Sequence, residues 1–210
     1  CVTNGKILQE KIFDNIWIQP AAGDAGGSLG AALALWHIEH GNTRIVNSND
    51  DMKGSYLGTE FSQNEIEKEL KSIGAYFETL NYEDLINKTS EFLSKEKAIG
   101  WFQGRMEFGP RALGGRSILG DPRSDKMQKN LNLKIKYRES FRPFAPSVLR
   151  EDLSDWFDLS VDSPYMLLVA EIKSNKKIEM TDEQKKLFGI DKLNIKRSEI
   201  PAVTHVDYSA

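Results

Sequence analysis

Lys97-Ala98-Ile99-Gly100-Trp101-Phe102-Gln103-Gly104-Arg105-Met106-Glu107-Phe108-Gly109-Pro110-Arg111-Ala112-Leu113-Gly114-Gly115-Arg116-Ser117 is the stretch on which the reading of this chain turns. Lys97 to Phe102 has the short apolar pattern of a buried strand. The strand leads into a turn with three arginines interleaved with four glycines and one proline. In an α/β layer, a turn leaving the end of a strand is where ligands bind. Glycines expose backbone N–H groups, and guanidinium groups offer planar forks of donors. The combination suits a phosphate, a carboxylate or a mixed anhydride. It is no Walker loop, because GxxxxGK[ST] is absent, and no GxGxxG stands in the right context. The bland alternative is a surface turn whose arginines cap helix C-termini.

Upstream of this stretch, Ser62-Gln63-Asn64-Glu65 reads as a capping box opening a helix through about Ser72, closed by Gly74. Ala75 to Leu80 is strand-like. Asn81 to Ser94 reads as a helix with Leu85, Ile86, Phe92 and Leu93 on its apolar face. Helix, strand, helix, strand argues for an α/β fold. Residues 42–60 are polar and turn-rich, a linker that places a boundary near 45–55. Residues 1–20 look strand-rich, with Ile7, Leu8, Ile12, Phe13, Ile16, Trp17 and Ile18 ahead of Pro20. A Gly-rich turn at 21–27 then opens a small-sided helix to about His40, with Gly41 as its stop. Downstream, a helix is expected over Pro122 to Leu133, with Asp121 or Ser124 near its start. A strand is expected over Tyr165 to Ile172, a solvated excursion over 173–199, and a short strand over Val203 to Val206.

The composition bounds the function. With 210 residues, 40% hydrophobic and 28% charged, the chain is a globular protein with one or two domains and a real core. No apolar run approaches the ~20 residues that span a bilayer, so a membrane helix is excluded. The single cysteine, Cys1, rules out an internal disulfide framework and a cysteine zinc cluster. No secretory leader is visible, and a cytoplasmic location is expected. The chain begins at Cys1, which reads as part of something longer. The net charge of −3 conceals an asymmetry: residues 97–150 carry 12 Lys/Arg against 4 Asp/Glu, and the remainder carries 16 against 27. A block at +8 repels itself, and an anionic ligand would relieve that. Ion pairs with acidic segments elsewhere are the bland reading.

A second basic segment lies beyond the first: Asn130, Asn132, Lys134, Lys136, Arg138, Glu139, Ser140, Phe141, Arg142. On a strand, Lys134, Lys136 and Arg138 share one face; the alternative is a solvated basic edge. Asp24 stands among glycines at a helix start, where it serves as an N-cap or as a carboxylate ligand for a metal or metal–nucleotide. His37 and His40, three apart, have no third ligand nearby. His205 and Asp207 share a face if their segment is a strand.

Five segments carry a resemblance. Cys1-Val2-Thr3-Asn4-Gly5-Lys6, Gln19-Pro20-Ala21-Ala22-Gly23-Asp24-Ala25-Gly26-Gly27, residues 100–114, Arg116-Ser117-Ile118-Leu119 and Arg138-Glu139-Ser140-Phe141-Arg142-Pro143-Phe144-Ala145-Pro146 closely resemble the nodulation-protein/antibiotic carbamoyltransferase family. The resemblance implies an α/β, carbamoyl-adenylate-forming domain, similar to threonylcarbamoyl-adenylate synthases, over 51–210 and incomplete at its C-terminus. It implies that 1–50 are the last elements of an actin-like ATPase domain. It further implies use of carbamoyl phosphate and ATP, formation of a carbamoyl-adenylate, and carbamoyl transfer to a hydroxyl of a sugar or antibiotic. By the same resemblance, Asp24 holds a divalent metal, iron or magnesium. Arg105, Arg111, Arg116, Ser117, Lys136, Arg138 and Arg142 line the carbamoyl phosphate and nucleotide site, with Arg105 and Arg111 catalytic. A homodimer is left open.

The chain departs from the family at two places. The family's histidine pair for the metal has no counterpart here, and His37 and His40 do not replace it. Tyr208 stands where a glycine is usual. The expectation is that these 210 residues alone do not turn over. Two rivals remain: a nucleic-acid-binding module tracking phosphates with the basic block, and a scaffold whose arginines meet an acidic subunit surface. The leading reading requires that the guanidinium groups at 105, 111, 116, 138 and 142 gather on one small dianion.

Overall fold

The computed structural model describes residues 1–210. Its only sheet is a hairpin: β1 (Ile99–Phe102) runs antiparallel to β2 (Arg116–Leu119), in a register that sets Ile99 opposite Leu119 and Phe102 opposite Arg116. Gln103 N–H donates to the Gly115 carbonyl at 2.8 Å and extends the ladder by one rung. The arginine-rich turn is therefore the loop of this hairpin. The mixed helix and strand content matches the α/β expectation, but the layered sheet is replaced by two antiparallel strands. β1 is also not a buried strand. It alternates half-buried and exposed positions, with Phe102 on the open face, which is the period-two pattern of a one-sided ribbon.

The helices with local start signals form as read. In α3 (Gln63–Ser72), the Ser62 side chain accepts from the Glu65 N–H, and the Glu65 side chain accepts from the Ser62 N–H. α4 (Tyr82–Ser94) is capped by Asn81, whose side chain accepts from the Asp84 N–H. The segment 75–80 between them makes no ladder, because no strand lies beside it. It bridges the two helices instead, through Thr79 to Glu67 and Glu78 to Lys88.

The N-terminal reading needs correction. Residues 2–9 are a helix, α1 (Val2–Gln9), not a strand. Cys1, Asn4 and Gly5 fall at helical spacing and meet one segment: Cys1 Sγ donates to Met166 O, Asn4 Nδ2 donates to Leu167 O at 3.0 Å, and buried Gly5 lies against the Val169 backbone. That tertiary contact overrides the β-branched propensity of the stretch. α2 (Asp24–Ala34) continues as a π-helical turn over Leu35–Glu39 and ends before Gly41. Its N-cap is Gly23; Asp24 makes no capping hydrogen bond, so the cap reading of Asp24 is replaced by a carboxylate in the first turn, where it faces the positive end of the helix dipole.

Further along, α5 (Met127–Asn130) with its π-helical turn Leu131–Ile135 is shorter at its start than the helix expected from Pro122. It also places Lys134 in a helical turn, so Lys134, Lys136 and Arg138 do not alternate on a strand. Tyr165 to Ile172 pairs only at its end, where 170–172 bonds to 208–210; upstream, Met166 has a positive φ and the carbonyls face α1. Val203 to Val206 is turn, not strand. The 173–199 excursion holds α7 (Asp182–Lys185) and α8 (Gly189–Leu193), and it contributes buried Met180 and Arg197. The core lies in this half. Leu153 and Phe157, which bracket α6 (Leu153–Trp156), pack with Ala170, Ile172, Ile200 and Val203. Met127, Leu131 and Ala202 form a second cluster, and Phe144 touches both. The linker 42–60 carries no regular helix or strand beyond one turn at Lys53–Ser55. It is clasped to the core side by Tyr165, whose hydroxyl donates to Asp50 and accepts from Gly54 N–H.

Candidate functional site

The hairpin loop is built around a carboxylate. Glu107 accepts the Leu113 N–H at 2.6 Å and the Gly115 N–H at 2.7 Å through Oε1, and Arg116 Nε at 3.2 Å through Oε2. Its side chain is sealed from solvent. Burial alone pushes such a carboxyl up, but these donors outweigh it and hold Glu107 below the usual carboxylate range. The loop is thus closed on itself from 107 to 116, although it spans 13 residues between its strands.

A second layer holds the loop in place. The segment 55–60 runs along it: Met106 N–H donates to Thr59 O at 2.9 Å, Gly58 N–H to Met106 O at 2.9 Å, and Phe108 N–H to Ser55 O at 2.6 Å. Tyr56 Oη donates to Leu113 O at 2.7 Å, and burial together with the Glu107 charge raises its pKa. Gly115 is required by space, since a Cβ there would lie 2.9 Å from Arg105 O and 3.2 Å from the Tyr56 ring. Gly109 is required twice over. Its φ is +97°, and a Cβ would lie 2.6 Å from the Ala21 side chain. The tip of the loop therefore rests on Ala21, in the turn that precedes α2.

The seven expected ligand-binding residues fall into two groups. Arg105, Arg111, Arg116 and Ser117 belong to the hairpin. Arg105 donates to Gly58 O at 2.9 Å and to Glu60 at 3.0 Å, and with Glu60 it lines an open depression of about 560 Å³ with Thr59, Phe61 and Ser62. Arg116 is shared between Glu107 and the Gly109 carbonyl. Ser117 Oγ accepts from Gly114 N–H. Arg111 is exposed, has no carboxylate partner, and touches only Cys1 Sγ at 4.0 Å.

Lys136, Arg138 and Arg142 belong to the second group, which surrounds Asn132. Arg138 Nε donates to Asn132 Oδ1 at 2.6 Å, and its guanidinium lies 5.0 Å from the centre of the Phe144 ring. Arg142 pairs with Glu139 at 2.9 Å. Lys136 is exposed and unpaired. The two groups share a foundation. Ile118 of β2 and Phe144 both pack on the Met127–Leu131–Ala202 cluster. Arg105, Arg116 and Arg142 are thus met by carboxylates, while Arg111, Lys136 and Arg138 form no ion pair, although the Arg138 charge helps to hold the Glu139 carboxyl below its usual range.

Asp24 makes no capping hydrogen bond and no ion pair with either group. No three His, Cys, Asp or Glu side chains gather anywhere in the chain to hold a metal ion. His37 Nδ1 is engaged by the Asn42 carbonyl at 2.9 Å, and His205 Nδ1 by Ser209 Oγ at 3.0 Å. Asp24 therefore belongs to no such cluster and offers a single carboxylate to the metal that the resemblance implies.

Glu107 and Asn132 are the organisers that sequence reasoning passed over. Glu107 carried a signal: it is the lone carboxylate among three arginines, ahead of glycines whose N–H groups need an acceptor. Asn132 carried none, because its partners lie 6–10 residues ahead in a segment of no regular structure.

Comparison with known proteins aligns both parts of the chain. The family profile described as Carbamoyltransferase C-terminus matches residues 90–210, and Carbamoyltransferase N-terminus matches residues 1–33. The chain is 58% identical over 212 residues to the uncharacterized protein sll1178 of Synechocystis sp. (strain ATCC 27184 / PCC 6803 / Kazusa), covering 100% of this chain and 34% of that protein. It is 38% identical over 214 residues to nodulation protein NolNO of Sinorhizobium fredii (100% and 28%), and 41% identical over 180 residues to nodulation protein NolO of Bradyrhizobium diazoefficiens (84% and 32%). The chain spans about a third of the length of these curated relatives. None of these matches lends support to the nucleic-acid reading. No helix is long and apolar enough to cross a membrane.

Proposed function

This chain belongs to the carbamoyltransferase family, and on that premise we propose that its two basic segments bind carbamoyl phosphate and the phosphates of ATP during formation of a carbamoyl-adenylate. The carbamoyl group then passes to an acceptor hydroxyl, on a sugar or a natural product. Carbamoyl phosphate gives up inorganic phosphate to water, the carbamate oxygen attacks the α-phosphorus of ATP with release of pyrophosphate, and the acceptor oxygen then attacks the carbamoyl carbon, losing its proton to solvent as AMP leaves.

The observation that carries this reading is the division of labour among the cations. Glu107 fixes the loop through backbone N–H groups and Arg116. Arg111 is thereby presented on a rigid loop without a carboxylate of its own. Arg138, stacked on Phe144, likewise has no carboxylate in hydrogen-bond or ion-pair contact. Carbamoyl phosphate is a small dianion, and adenylation spreads more negative charge over the transferring group. Fixed guanidinium forks stabilise such charge without reorganising as it develops. Arg105 and Arg116 serve the loop's shape as well as its charge, because each is tied to a backbone carbonyl in addition to its carboxylate.

The test is carbamoyl phosphate binding to the full chain and to its Arg111→Ala variant by calorimetry. The variant is expected to bind at least tenfold more weakly, the loss of a charge-assisted hydrogen-bond pair of about 1.4 kcal/mol or more. Equal affinities would remove the anion site from this loop.

A further inference from the structure

We infer that Asn132 is the positioning residue of the second cation group: a neutral amide that orients Arg138 and the 140–142 turn toward the anion without cancelling their charge. The inference rests on the carbamoyl phosphate reading of the site.

Asn132 is 0% exposed, unusual for an amide unless every polar atom is satisfied. Here each is. Oδ1 accepts from Arg138 Nε at 2.6 Å. Nδ2 donates to Ser140 O at 3.1 Å and to Arg142 O at 2.9 Å. The main-chain carbonyl of Asn132 accepts the Arg138 N–H at 3.0 Å. One residue thus grips the segment at 138, 140 and 142. Gln128 Nε2 adds a second hold on Arg142 O at 3.2 Å.

The chemistry of the acceptor is the point. Arg105, Arg116 and Arg142 are oriented by carboxylates, which also neutralise them. Arg138 is oriented by an amide oxygen on one side and the Phe144 face on the other. Only its Nε is engaged, so both terminal nitrogens keep their donors, and no carboxylate sits on them; Glu139 acts on the guanidinium only through space. An aspartate at 132 would offer the same acceptor, but it would neutralise the guanidinium and turn a carboxylate oxygen toward two carbonyls. A lysine at 138 would keep the charge, but it has no second nitrogen to give the amide while its head meets the ligand.

The experiment measures affinity for carbamoyl phosphate and for inorganic phosphate in the full chain, in Asn132→Ser, in Arg138→Lys and in the double variant. Serine is too short to reach Arg138. Each single variant is expected to weaken binding at least tenfold, and the double variant to lose less than the sum of the two. If wild type binds and Arg138→Lys stays within twofold of it, the positioning role is overturned, whatever Asn132→Ser does to folding. A second readout needs no ligand. By nitrogen-15 NMR, the Arg138 Nε–H is expected to be protected from solvent exchange in wild type and unprotected in Asn132→Ser. Rapid exchange in wild type overturns the inference even if carbamoyl phosphate binds. A protected Nε–H with no binding of either probe leaves Asn132 as the organiser and removes the carbamoyl phosphate reading instead.

Discussion

Glu107 concentrates three hydrogen bonds, one of them also an ion pair with Arg116, in a single buried carboxylate. Removing it leaves the Leu113 and Gly115 N–H groups without an acceptor in a site closed to water, and a guanidinium without its counter-charge. Groups orphaned in this way cost more than the bond that was lost. Glu107→Ala is therefore expected to lower stability by about 3 kcal/mol, read as a drop in thermal midpoint of roughly 6–12 °C for a chain of this size. Glu107→Gln keeps the volume and one acceptor oxygen but turns an amide NH2 toward an N–H donor, so it should fall between the two. A midpoint for Glu107→Ala equal to that of wild type would show that the loop is shaped by segment 55–60 instead. The same residue illustrates what a sequence conceals. Three arginines among glycines announced an anion site, yet two of the three already have an anion, supplied by Glu107 and Glu60 from within the chain.

At the scale of elements, the structure separates segments held by their own ends from segments held by distant partners. α3 buries no side chain, so its stability is local: the Ser62–Glu65 capping box and the i,i+4 pair Glu67–Lys71. Ser62→Ala should cost about 1 kcal/mol of helix stability, but that cost is confined to α3. The expected result is amide exchange about fivefold faster at Glu65 and Ile66, with rates in β1 and β2 and the thermal midpoint unchanged. A fall in the global midpoint would mean that α3 is coupled to the core. This distinction also explains which elements were legible. The α3 box, the helix beginning near Asn81 and the Gly41 stop are written within a few consecutive residues. The failed strands needed information from elsewhere. Residues 165–169 are diverted by α1, more than 160 residues away in sequence, and 75–80 stays irregular because no strand lies beside it. The reading of 1–20 failed for the converse reason. Its Ile, Phe and Trp content favours strand, but the face that packs is Cys1, Asn4 and Gly5.

Over the whole molecule, burial is uneven. The chain exposes 15130 Å², against roughly 9,900 Å² for a folded monomer of its mass. Only Gly5, Pro20 and Ser55 are buried before residue 99. Cooperative stability therefore resides in the second half, where Arg197 lies 2% exposed and donates to the carbonyls of Lys192, Leu193, Ile195, Thr204 and His205. This cage also sets the pH response. His205 sits against it, and its pKa is lowered, first by burial and then by the Arg197 charge, with Asp207 opposing. A histidine kept neutral in the fold binds fewer protons than in the unfolded chain between its depressed folded pKa and about 6.5, so stability falls as pH drops through that window. The carboxyls of Asp207, Asp121 and Glu107 are lowered too, and their contributions are lost only as pH falls below the ordinary carboxylate range near 4. Between pH 6.5 and 5, His205 should accordingly govern the slope. Thermal midpoints measured across that interval should decline in wild type and decline less steeply in His205→Asn. Parallel curves throughout would place the acid sensitivity outside the Arg197 cage.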